Sequence, residues 1–104
     1  MVGITRIATY FPRRRLDRAL LAKAWGTRVA PGARTVAGID EDALTMAVDA
    51  VLECTRDADA ADFDALYFAS TSSPYGEKQV ASMVATAADL PRTCLLYTSD
   101  AADE

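Results

Sequence analysis

The run Ala65-Leu66-Tyr67-Phe68-Ala69 restricts the fold more than any other stretch of this chain. Five apolar residues in succession are too few for a stable helix. They also lack the polar alternation of a strand with one wet face, so they read as a strand covered on both faces, as in a parallel sheet. Parallel neighbours cannot be joined by a tight turn and need a crossover, which a helix normally supplies. Helical periodicity is present on both sides of the run. Upstream, Ala43, Leu44, Ala47, Val48, Val51 and Leu52 recur on one face, with Asp49, Glu53 and Arg56 away from it. Asp40 is the expected N-cap of this helix, with Glu41 and Asp42 complementing the positive end of its dipole. Downstream, Val80, Met83, Val84, Ala87 and Leu90 share a face until Pro91 ends the pattern.

The first third of the chain fits the same scheme. Residues 2–10 are rich in β-branched types and are closed by Phe11-Pro12, which predicts a first strand. Asp17 is placed to cap a short helix carrying Leu20, Leu21, Ala24 and Trp25, and Gly26 is placed to stop it. The stretch that follows holds Pro31, Gly32 and Gly38 and reads as a loop with a brief extended piece at residues 34–36. The order strand, helix, helix, strand, helix predicts an α/β layered fold. At 104 residues the chain has room for one domain with a modest core.

Charge and residue types exclude several functions. The formal net charge is −4, but the last five residues alone hold Asp100, Asp103 and Glu104, and without them 12 acids face 11 bases. Such a balance predicts neither a nucleic-acid partner nor a membrane-surface partner. No apolar run is long enough to cross a bilayer, and the first basic cluster follows the apolar opening, the reverse of a signal peptide, so the cytoplasm is the expected compartment. The chain has no histidine, and Cys54 and Cys94 make no ligand or redox spacing. No metal site and no permanently bound cofactor are expected.

Residues 94–104, CLLYTSDAADE, carry no cap and continue no period. The string matches the translation of a transposase-type sequencing adapter read in frame. Native sequence is therefore expected to end near Thr93, with 94–104 a non-native tail, and Cys94 is not read as a catalytic thiol.

Three segments, MVGITRIATYFPRRRL with AKAWG, then DEDALTMAVDAVLEC, then LYFASTSSPYGEKQVASMVATAADLPR, resemble the opening of hydroxymethylglutaryl-CoA synthases and their bacterial relatives. Ketoacyl synthase III enzymes share the plan more loosely. The resemblance implies a partial thiolase-like αβαβα layered fold, with residues 1–93 forming the N-terminal portion of the first half-domain only. It implies a Claisen-type condensation in which a cysteine nucleophile takes an acyl group from a coenzyme A thioester, and that cysteine lies beyond this chain. Acyl-CoA substrates, a homodimer at full length and a thiolase-type partner follow from the same resemblance. The chain by itself is expected to be inactive. The alternative, a non-catalytic thiolase-like subunit that binds acyl-CoA or scaffolds another enzyme, stands beside it.

Thr71 falls where the resemblance places the acid/base glutamate of these synthases. A threonine hydroxyl cannot exchange protons near neutral pH as a tuned carboxylate can. Glu77, six residues on, reads as a first-turn acid of the next helix rather than a substitute. Arg28 and Arg34 lie in the loop that, by the resemblance, approaches coenzyme A. Arg13, Arg14 and Arg15 suit phosphate by their guanidinium forks, but a solvated turn is the favoured reading, because charge runs after strands usually face water. Trp25 reads as core, Cys54 as a buried inert thiol. Ser70, Thr71, Ser72 and Ser73 stand at the C-terminal end of a buried strand, where α/β sheets bind ligands, or serve as turn formers.

Overall fold

A computed structural model describes residues 2–75 and 79–100. The chain divides into two compact units, Phe11–Glu41 and the segment before it taken together with the described residues from Asp42 onward.

In the Phe11–Glu41 unit, strand β1 (Arg14–Asp17) leads directly into helix α1 (Arg18–Trp25), and strand β2 (Ala33–Val36) returns antiparallel to β1. Asp17 caps α1 as expected, accepting from the Ala19 amide at 2.9 Å. Gly26 ends the helix at φ 65°, a left-handed conformation that favours glycine. The extended piece expected at residues 34–36 is β2. Trp25, expected in the core, is 69% exposed. The eight-residue helix buries none of its side chains.

The larger unit holds helix α2 (Ala43–Cys54), a 3₁₀ turn (Ala60–Asp62), strand β3 (Ala65–Ser70), helix α3 (Val80–Ala87) and strand β4 (Leu95–Asp100). β3 and β4 pair in parallel, Ala65 opposite Leu95 through to Ser70 opposite Asp100, with α3 as the crossover. The core forms where α3 meets the sheet and α2. Val80, Ala81, Val84 and Phe68 are buried, and Ala43, Leu44, Ala47, Val48, Val51, Leu66 and Leu96 pack around them. The apolar stripe of α2 thus does what its spacing predicts, except that Leu52 stays exposed.

Several expectations are corrected. Residues 2–10 form no strand: extended backbone becomes a strand only when a neighbour completes its ladder, and among the described residues none does. The N-cap of α2 is Asp42, not Asp40. Asp42 Oδ1 accepts from the Thr45 amide and Thr45 Oγ1 from the Asp42 amide, both at 2.9 Å, a reciprocal capping box that Asp40 stands too early to form. Glu41 instead folds the preceding turn, its carboxylate accepting from the Gly38 amide at 2.9 Å.

β3 is covered on one face only. Phe68 is 8% exposed while its neighbour Tyr67 is 74% exposed, since α3 packs one side of the pair and no second layer faces the other among the described residues. α3 ends at Ala87, before Leu90. Asp89 turns left-handed at φ 56°, and the Asp89 and Leu90 amides return to the Thr86 and Ala85 carbonyls at 3.2 and 2.9 Å. That pair of bonds is a Schellman closure.

Residues 95–100, where no element is expected, form β4. The Thr98 hydroxyl accepts from the Ala81 amide at 2.8 Å and donates to Gln79 Oε1, so β4 caps the start of α3.

Candidate functional site

Parallel strands present their C-terminal ends together, and here Ser70 and Asp100 stand opposite each other at that edge. The hydroxyl-rich turn expected after β3 begins at this point. The Ser72 amide donates to Ser70 Oγ at 3.1 Å and Ser73 Oγ donates to the Tyr75 carbonyl at 3.3 Å. These local bonds hold the turn open instead of continuing the strand. Thr71 lies at its apex, exposed. Its hydroxyl can donate or accept one hydrogen bond to a ligand, but it offers no group that titrates near neutral pH. Glu77 lies outside the described residues.

Arg28 and Arg34 are both exposed and belong to the Phe11–Glu41 unit, Arg28 in the loop after α1 and Arg34 on β2 opposite Leu16. Arg14, two residues before Leu16, shares the ribbon face of Arg34, because side chains alternate along each strand. Arg15 and Thr35 occupy the other face.

Cys54 is half-buried, not fully enclosed. With Glu53 it borders a hollow of about 610 Å³ whose other wall is the backbone and side chains of Thr5, Arg6, Ile7, Ala8 and Thr9. Glu53 also pairs with Arg56 one helical turn on. A smaller apolar groove of about 400 Å³ runs between α2 and α3, lined by Leu44, Val48, Met83 and Ala87 among others. Among the described residues no three His, Cys, Asp or Glu side chains converge to hold a metal ion, and no helix is long and apolar enough to cross a membrane. The contacts that sequence reading misses are those of Gln79 and Thr98. Their signal is non-local: nothing in the spacing of 19 residues announces that a strand hydroxyl will cap a helix.

No family model matches the chain. The hydroxymethylglutaryl-CoA synthase of Picrophilus torridus is 33% identical over 100 residues, covering 88% of this chain and 28% of the relative. That of Pyrococcus horikoshii is 33% identical over 89 residues, covering 83% and 25%. Among solved structures, MvaS in complex with 3-hydroxy-3-methylglutaryl coenzyme A superposes with a TM-score of 0.82 at 28% identity, over 93% of this chain and 25% of that one. The chain thus spans about a quarter of the length of the relatives it matches.

Proposed function

The chain belongs to the hydroxymethylglutaryl-CoA synthase family of the thiolase superfamily, and from that premise we propose that the protein it represents is an acyl-CoA condensing acyltransferase. The observation that carries the proposal is the agreement of sequence and fold with the same enzymes: 33% identity to a curated synthase and a TM-score of 0.82 to a solved one. The reaction is a Claisen-type condensation of coenzyme A thioesters. It needs a thiolate to take the acyl group, a group to move protons, and donors for the oxyanion. The thiolate belongs to sequence beyond residue 93, and residues 94–104 are a tail foreign to the parent protein. The parent works in the cytoplasm as a homodimer, with a thiolase-type enzyme as a further partner.

Within this chain three residues take part. Arg28 and Arg34 bind the phosphates of coenzyme A through guanidinium forks that no other side chain reproduces. Thr71 occupies the acid/base position, where it orients a reactant by hydrogen bonding without exchanging protons. The acid/base step therefore falls to another group of the longer protein, or the reaction is one that does without it.

The decisive experiment recovers the reading frame that continues past Thr93 and expresses the protein at its relatives' length. Incubation with labelled acetyl-CoA followed by peptide mass spectrometry is expected to find the acyl group on a cysteine. A protein that takes no acyl group, or a reading frame without a cysteine to receive it, sinks the proposal. In the same protein, Thr71→Glu should raise hydroxymethylglutaryl-CoA formation by about a hundredfold or more, the low end of the range of about 10²–10⁴ that a positioned acid/base contributes. An unchanged rate would remove Thr71 from the acid/base position.

A further inference from the structure

Residues 2–9 are rich in β-branched side chains, yet among the described residues no hydrogen bond reaches any of them. Their amides and carbonyls are left to water, and Val2, Ile4 and Ile7 are exposed. An unpaired edge of this composition is a template on which another strand can build its ladder. Space for one is present. The hollow of about 610 Å³ lies between residues 5–9 and the end of α2, where Glu53 and Cys54 form the far wall.

The segment is complementary to itself in one register. Identical antiparallel strands pair about a two-fold axis that sets one residue opposite its own copy. Centred on Arg6, the pairing would bring two guanidinium charges face to face, which is destabilising. Centred on Thr5, it would set Ile7 opposite Gly3 and Ile4 opposite Arg6. Centred on Ile7, it sets Ile7 opposite Ile7 and Thr5 opposite Thr9 on one face of the ladder, with Arg6 opposite Ala8 on the other. Each β-branched side chain of the first face then meets another. The residues so paired are the same five that line the hollow, and Glu53 on its far wall offers a carboxylate to Arg6, the one charge an incoming strand brings.

We propose that two copies of the 104-residue chain pair antiparallel through residues 5–9 about Ile7, each supplying the ladder neighbour that the other lacks. The occupant is a second copy because this register satisfies both strands at once and closes on itself. So short a ladder buries less than a standard interface, which sets the dissociation constant on the order of 100 µM. The pairing belongs to the 104-residue chain and does not depend on the acyltransferase reading.

Sedimentation equilibrium of the 104-residue chain tests this, and the expected result is a monomer–dimer equilibrium that stops at the dimer. Ile7→Pro and Ala8→Pro sit at alternating positions, so one of them removes a ladder donor whichever edge meets the second copy. At least one should weaken association roughly tenfold or more. The circular dichroism spectrum should stay unchanged, because residues 2–9 have no bonds to lose within one chain. Cross-linking covers the case in which a proline variant unfolds. Under mild oxidation Ile7→Cys should join two copies through the introduced thiols, identified by peptide mass, since directly opposite Cα atoms lie within disulfide reach. Ile4→Cys should not, because the two copies of that position stand roughly 20 Å apart in this register. A chain that stays monomeric, or that grows past the dimer, overturns the proposal. So does cross-linking through Ile4→Cys as readily as through Ile7→Cys. Association that Tyr67→Ser abolishes and both prolines leave untouched overturns it too, and assigns the contact to the bare face of β3 and β4.

Discussion

Two aspartates at helix ends show how single residues shape this chain. Asp42 makes both halves of a capping box with Thr45, whereas Asp40, two residues earlier, bonds no amide of α2. Asp42→Ala should therefore cost about 1 kcal/mol, the usual worth of a side-chain cap, and Asp40→Ala at most a few tenths, both read from urea unfolding. Equal costs would mean that the cap is shared or misplaced. Asp89 acts at the other end of a helix, holding φ 56° in the Schellman closure of α3. An L-residue is strained there by roughly 1–2 kcal/mol, less for aspartate than for most, and glycine is not. Glycine adds unfolded-state entropy, so Asp89→Gly should stabilise by about 0.5 kcal/mol, while Asp89→Val should destabilise. Thr71 differs from both in having no structural task that its neighbours leave undone. Ser70 and Ser73 hold the turn, so substitutions at Thr71 should spare stability.

At the scale of elements, the legible parts were those whose cause is local. Helix α2 follows from its apolar stripe, α1 from Asp17 and Gly26, and β3 from five apolar residues in succession. The parts that sequence alone misplaces depend on a partner elsewhere in the chain. Residues 2–10 have the composition of a strand but, among the described residues, no ladder neighbour, and residues 95–100 have an unpromising context and a good neighbour in β3. The same logic applies to the candidate site: the hydroxyl turn after β3 is visible in the string of serines, but the bonds of Ser70 and Ser73 that shape it are not. β4 also does more than pair. Its Thr98 hydroxyl satisfies the Ala81 amide, which Gln79 as N-cap residue leaves without a side-chain bond of its own. Ala81 is fully buried, so water cannot replace the lost acceptor. Thr98→Val keeps the shape and removes the bond, and should cost about 1–3 kcal/mol by denaturant unfolding. A cost near zero would show that β4 holds α3 by packing alone.

For the whole molecule, the decisive feature is the β3–β4 sheet, which among the described residues has one face packed and the other bare. Tyr67 and Tyr97 stand on the bare face with ring centroids 6.1 Å apart, and Leu95 is exposed beside them. A strand as apolar as β3 is costly to leave half open, because water contacts what a second layer would bury. The chain matches about a quarter of its relatives' length, and the αβαβα layering that the family resemblance implies would give each sheet a layer on both faces. The two situations predict different energetics for one substitution. In the 104-residue chain Tyr67→Ser removes a side chain that is 74% exposed, so it should change stability by less than about 1 kcal/mol and raise solubility. In the protein at its relatives' length the same substitution would empty a site between layers and should cost about 3–5 kcal/mol, the range for deleting a buried aromatic. Paired urea titrations of the two lengths measure the difference directly. If Tyr67→Ser costs the same small amount in both, the bare face stays bare in the longer protein and the sequence of β3 owes its apolar character to something other than a covering layer.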